Sequence, residues 1–161
     1  MRLTTRTNLA MRVLMFCACH PGKLHRSADI ALACNVSVNH LMQVVPVLNR
    51  LGYICATRGR SGGVRLATLP ERVSVGEVFR HFEAALPFAE CFEGADNTCP
   101  LTASCRLRPA LFKALDAFYA ALDTVNLADL IDDNTGLEEL FSHSAVTAPR
   151  PRCAQAPQVD R

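Results

Sequence analysis

Three cysteines, Cys91, Cys99 and Cys105, are spaced C-x7-C-x5-C in a segment that Gly94, Asp96, Asn97 and Pro100 keep from forming one regular helix. Such a segment buries little, so packing gives no reason for three thiols; convergence on a metal does. Structural zinc sites bring their ligands in pairs two to four residues apart and need four donors. Here there are three donors and no close pair, and His81 lies ten residues before Cys91. Soft thiolates on an irregular loop also suit an iron–sulfur cluster, whose fourth ligand would then come from outside the loop. An iron without a protein thiolate is open to attack by nitric oxide or oxygen. On spacing alone a cluster, a zinc site and a thiol sensor all stay open.

The other five of the eight cysteines carry a weaker signal. Cys17, Cys19, Cys34 and Cys55 lie among apolar neighbours and are expected as small core residues. Cys17 and Cys19, two apart on a helix, point to different faces. Cys153 falls in an Ala/Pro/Arg-rich tail. No C-x-x-C pair or Gly-rich cofactor fingerprint is present, which argues against a redox enzyme and, more broadly, against an enzyme.

The segment from Leu9 to Cys19 could pass for a secretion signal, but Arg12 interrupts it and no small-x-small site follows before His20-Pro21. No apolar run reaches the roughly 18–20 residues of a membrane span. A cytoplasmic chain with reduced thiols and no membrane partner is the expectation.

Charge is segregated along the 161 residues. Residues 1–66 carry nine Lys/Arg against the single acid Asp29, a net +8, whereas residues 67–145 carry a net −8. The whole chain is only +2. A basic front half with an acidic rear half is the footprint of a chain whose first half meets a polyanion.

The elements that would position these groups follow from caps and periodicity. Thr7 or Asn8 can cap a first helix with Leu9, Val13, Phe16 and Cys17 on its apolar face, ended by His20-Pro21-Gly22. Ser27 caps a short helix with Ile30, Ala31 and Cys34 inward, and Asn35 tolerates a left-handed turn. Ser37 caps a second helix with Leu41, Val44, Val45, Leu48 and Leu51 at helical spacing, stopped by Gly52. Two short helices and a tight turn over residues 28–51 make a helix-turn-helix, whose second helix exposes Asn39, His40 and Gln43. Pro46 should bend that helix, leaving residues 37–45 to enter a DNA groove.

Residues 53–57 and 64–67 read as strands joined by Arg58-Gly59-Arg60-Ser61-Gly62-Gly63, a β-wing with two arginines suited to a narrow minor groove. Leu69-Pro70 marks a boundary, and Ser74 caps a helix holding Val75, Val78, Phe79 and Phe82. From residue 107 to 125 a longer helix places Leu111, Leu115, Phe118, Leu122 and Val125 at alternating spacings of four and three, a coiled-coil seam suited to a dimer. The predicted architecture is mainly α with a small β-wing: a winged helix-turn-helix over 1–70 (wing 53–67), a cysteine loop and dimerisation helix over 71–131, and a flexible tail over 132–161.

With these residues in view, the chain resembles the NsrR-type nitric-oxide-sensing repressors, part of the winged-helix group that includes the cluster-assembly regulator IscR. The resemblance rests on Met1-Arg2-Leu3-Thr4 with Leu9, Arg12 and Leu14, on Asn39-His40-Leu41-Met42, and on Arg58-Gly59-Arg60 followed by Gly62-Gly63-Val64-Arg65-Leu66-Ala67. It continues through Glu90-Cys91-Phe92, Cys99-Pro100-Leu101, Cys105-Arg106-Leu107 and Leu127-Ala128-Asp129-Leu130, covering residues 1 to about 131.

It implies a homodimer with one iron–sulfur cluster per subunit, 2Fe–2S or 4Fe–4S, held by Cys91, Cys99 and Cys105. Such a dimer binds a double-stranded DNA operator, through Ser37, Asn39, His40, Gln43, Arg58 and Arg60 here, and releases nitric oxide detoxification genes when nitric oxide arrives. Some members carry an aspartate at the position of Asn8 that reaches across the dimer as fourth ligand; Asn8 is neutral, a departure from them. An IscR-like regulator responding to cluster supply, and a zinc-stabilised interaction module without DNA function, are the alternatives.

Overall fold

The computed structural model describes residues 3–59, 62–83, 87–92 and 97–146, with side chains to Phe141. Helix α1 spans Thr5–Ala18, α2 Ser27–Ala33 and α3 Val38–Arg50; strands β1 (Ile54–Thr57) and β2 (Gly63–Leu66) follow. Then come α4 (Val75–Glu83), α5 (Leu107–Asp123), α6 (Leu127–Ile131) and α7 (Thr135–Val146). The architecture is mainly α with one two-stranded antiparallel sheet, as the sequence predicts, with Ile54 opposite Leu66 and Thr57 opposite Gly63.

Helix α1 is the hub. Nine of its fourteen residues are buried, among them Leu9, Val13, Leu14, Phe16 and Cys17, because α3, α4, α6 and β2 pack around it. The same core takes in Val73, Val75 and Val78 and the α6 residue Leu127, so residues on both sides of Leu69-Pro70 share it. Backbone bonds from Val75 N–H to Val125 and from Leu127 N–H to Val73 fasten the end of α5 beside the start of α4.

Three expectations are corrected. First, α1 is capped by Thr4, not Thr7 or Asn8: the Thr4 hydroxyl accepts the Thr7 N–H at 3.2 Å. Glu83, from the end of α4, fixes that choice by accepting the Thr4 N–H at 2.9 Å and both threonine hydroxyls. Second, residues from 132 are not all tail. Helix α7 packs against α2, and Phe141 is buried edge-on against Phe16 at 5.2 Å between centroids. That contact supplies the apolar burial which the polar local sequence does not advertise. Third, Cys19 and Cys55 are half-buried rather than core residues, while Cys17 and Cys34 are buried as expected. Residues 147–161, with Cys153, lie outside the described residues. Pro46 lies exposed inside α3, which runs on to Arg50.

Candidate metal centre and DNA-reading surface

The chain bends by 110° between α2 and α3, within the range of a helix-turn-helix. Asn35 makes the turn with φ 51°, and the Arg12 guanidinium donates to the Cys34 carbonyl at 3.1 Å, binding the turn to α1. Leu41, Val44, Val45 and Leu48 bury one face of α3. Ser37, Asn39, His40 and Gln43 are all exposed on the other. Ser37 also has a structural task, its hydroxyl accepting the His40 N–H at 3.2 Å. Met42 stands among them, half exposed.

The wing is held to both helices of the reading head. Asn49 Oδ1 accepts the Ala56 N–H at 2.8 Å, joining the end of α3 to β1. His25, just before α2, exchanges two backbone hydrogen bonds with Val64 of β2, at 3.0 and 2.8 Å. Gly63 is required for that approach, since a Cβ there would stand 2.6 Å from the His25 carbonyl oxygen. Arg58 is exposed where β1 ends; Arg60 lies outside the described residues.

Cys91 sits in a 3-10 turn, Glu90–Phe92, Cys99 just before a turn, and Cys105 two residues before α5. All three are half-buried free thiols. The Glu90 carboxylate accepts the Thr98 N–H and hydroxyl, each at 2.7 Å, so the neighbours of Cys91 and Cys99 are in direct contact. Those bonds, the side-chain one first, hold the Glu90 carboxyl below its usual pKa. Cys99 is fixed at both backbone groups, its N–H donating to Asn97 Oδ1 at 3.1 Å and its carbonyl accepting from Thr102 Oγ1 at 2.7 Å. Phe92 stacks on Phe112 of α5 at 3.9 Å, seating the loop on that helix. Even so, among the described residues no three Cys, His, Asp or Glu side chains are gathered closely enough to hold an ion. Cys91 and Cys99 are brought into one region, but the three sulfurs do not form a coordination shell. Asn8 is exposed on the first turns of α1, lining a shallow cleft of about 190 Å³ with Leu3, Thr4, Arg12 and Val36.

Helix α5 contributes no fully buried residue. It leans on α4 through Phe79 and Phe118, through Arg80 over the Tyr119 ring at 4.7 Å, and through a two-pronged Arg80–Asp123 pair. Leu111, Leu115, Phe118, Leu122 and Val125 are only half covered.

A helix-turn-helix and a wing on one core are the parts of a winged-helix reading head, and sequence comparison decides which one. The model of the Rrf2 family, iron-dependent transcriptional regulators, matches residues 3–133. The chain belongs to the Rrf2 family. It is therefore a transcriptional regulator and not an enzyme. Among its Rrf2 relatives, the HTH-type transcriptional regulator NsrR of Geobacillus kaustophilus is 45% identical over 142 residues, covering 88% of this chain and 97% of that protein. The NsrR of Bacillus subtilis is 40% identical over 142 residues, with the same coverage. Of solved structures, T. potens IscR superposes with a TM-score of 0.65 at 24% identity, covering 83% of this chain and 88% of that one. The oxidized form of Staphylococcus aureus CymR gives 0.63 at 24% identity, over 82% and 97%. These two likenesses establish the Rrf2 fold. No single helix among the described residues is long and apolar enough to cross a membrane.

Proposed function

We propose that this Rrf2 protein is a cytoplasmic homodimeric repressor that holds an iron–sulfur cluster at Cys91, Cys99 and Cys105. In this reading it releases the operator of nitric oxide detoxification genes when nitric oxide arrives. The observation that carries the proposal is three free, half-buried thiols between α4 and α5, with Glu90 pinning Thr98 beside Cys99. The donor set fits the group: three soft sulfurs and no competing disulfide among the described cysteines. When bound, the cluster supplies an iron at which nitric oxide can bind.

The protein's own residues do the rest. Asn97 and Thr102 hold the Cys99 backbone, and Phe92 on Phe112 couples the loop to α5. Asn8, on the outside of α1, is the fourth-ligand position toward a partner subunit, and the half-covered stripe on α5 is the surface along which two subunits pair. Glu83 stands where α4 ends, before the cysteine loop, and grips Thr4 and Thr7 at the start of α1. Because α1 packs directly on α3, a displaced loop bears on the reading helix through one rigid element. Ser37, Asn39, His40 and Gln43 then meet a major groove, and Arg58 and Arg60 the adjacent minor groove.

The test is anaerobic purification followed by iron and sulfide analysis, visible absorption and operator binding. Brown protein is expected, and Cys→Ala at position 91, 99 or 105 should give colourless protein that binds the operator weakly. A variant keeping colour and binding refutes that cysteine's role. Nitric oxide titration separates sensing from the IscR-like alternative, which the neutral Asn8 keeps in play. Release at a few molecules per cluster supports sensing, and indifference supports a supply sensor. Stoichiometric zinc without iron would make the chain a zinc-stabilised module instead.

A further inference from the structure

Between α3 and the wing runs a cleft of about 480 Å³ whose lining includes Arg26, Met42, Pro46, Asn49, Arg58 and Val64. We propose that this cleft seats the single sugar–phosphate strand that separates the two DNA grooves, and that Arg26 is its phosphate anchor. The inference rests on the DNA-binding reading above and adds a residue and a path to it.

The path follows from geometry. A winged helix puts its second helix in the major groove and its hairpin in the neighbouring minor groove. Adjacent grooves of a duplex are divided by one backbone strand, so that strand must pass between helix and hairpin. In this protein the space between them is the cleft.

The lining matches a strand of alternating sugar and phosphate. Its floor is apolar: Met42, Val64 and Pro46, the last without an N–H, while the Asn49 amide oxygen is already taken by the Ala56 N–H at 2.8 Å. Deoxyribose can rest on those apolar side chains, with the Ser27 and Thr57 hydroxyls of the lining able to meet its oxygens. Its rims are cationic. Arg26 stands on the α2 side and Arg58 on the wing side, and no acid lines the cleft. The ion pair present is Arg80–Asp123, so neither rim guanidinium is paired with a carboxylate among the described residues. Guanidinium groups bind phosphate oxygens strongly and without regard to sequence.

Arg26 is also held in place. The residue before it, His25, is strapped to Val64 by two backbone hydrogen bonds, so Arg26 moves with the wing although distant from it in sequence. Its side chain is exposed, open to a ligand.

The experiment uses the full chain, purified without oxygen, and a labelled mixed-sequence duplex several helical turns long. Binding is measured over a series of salt concentrations for the wild type, Arg26→Gln, Arg26→Lys and Arg50→Gln. Arg50 is exposed at the far end of α3 and outside the cleft lining, so it controls for net charge. Loss of one phosphate contact should flatten the slope of log K against log salt by about 1. We expect that change in Arg26→Gln, a wild-type slope in Arg26→Lys and Arg50→Gln, and unchanged thermal unfolding in all. A wild-type slope in Arg26→Gln overturns the assignment, and so does an equal loss in Arg50→Gln. In either case a wild type that binds duplex leaves the DNA-binding reading standing; a wild type that binds no duplex at any salt removes both.

Discussion

Gly63→Ala tests the joint on which the reading head depends. The alanine Cβ would lie 2.6 Å from the His25 carbonyl oxygen and 2.9 Å from Leu24 Cγ. Carbon and carbonyl oxygen tolerate about 3.3 Å, so β2 must retreat from His25 by roughly 0.7 Å. The two hydrogen bonds between His25 and Val64 now measure 3.0 and 2.8 Å. After that retreat both would exceed the ~3.2 Å limit of a good N–H···O bond. Each is worth about 0.5–1.5 kcal/mol net, giving a loss of about 1–3 kcal/mol. For a chain of this length each kcal/mol lowers Tm by roughly 2–4 °C, so a fall of about 4–8 °C is expected for the middle of that range. Circular dichroism reads the fall, and hydrogen exchange at the His25 and Val64 amides locates it. Gly22→Ala is the comparison: its φ of 73° strains an alanine, but nothing lies within 4 Å. It should cost about 1 kcal/mol without touching exchange at those two amides. A Gly63→Ala protein with wild-type Tm and slow exchange at His25 and Val64 would refute the reasoning.

Two further outcomes concern titratable groups. The His25 ring is buried, which lowers its pKa; nearby His20 and Lys23 lower it further, and Asp29 opposes them. Its Nε2 has no hydrogen-bond partner among the described residues. Because the folded protein favours the neutral ring, the unfolded chain binds the proton more readily. The stabilisation is thus present above an ordinary imidazole's ~6.5 and is lost as pH falls below it toward the lower folded value. Denaturant melts at a series of pH values should show this decline in the wild type and a shallower one in His25→Asn; identical profiles would contradict it. Burial pushes the Cys17 thiol up to about 12 and the Cys34 thiol up to about 11, the latter against the pull of Arg12. Iodoacetamide at mildly alkaline pH should therefore label half-buried Cys55 in the native protein but spare Cys17 and Cys34 until denaturant is added. Rapid native labelling of Cys17, read by peptide mass spectrometry, would show the core to be open there.

The features legible in the sequence are those whose cause is local. Ser37 caps α3 and Leu41, Val44, Val45 and Leu48 bury one face at helical spacing, so the reading helix is set by residues a few positions apart. The wing is legible because Gly59, with φ 109°, and the two glycines that follow permit a hairpin few other residues would. What escaped the sequence reading is carried by partners far apart in the chain. Thr4 and Thr7 are equivalent as caps until Glu83, 79 residues from Thr4, decides between them. Helix α7 gains its place when Phe141 meets Phe16, an encounter invisible in either segment. Arg26 belongs to the wing only because His25 pairs with Val64. The cysteine loop lies between these cases. Residue type makes Cys91, Cys99 and Cys105 candidate metal donors, since softness is a property of the sulfur itself. Their convergence is a property of the loop's closure, and Glu90 achieves that closure only in part by bonding Thr98. If the proposed cluster binds here, its binding and the closure of the loop are one equilibrium, because the third sulfur is not gathered without it. On that proposal, losing the cluster would free the loop, and Glu83, bonded to Thr4 and Thr7 at the start of α1, is the route by which the reading helix would feel it.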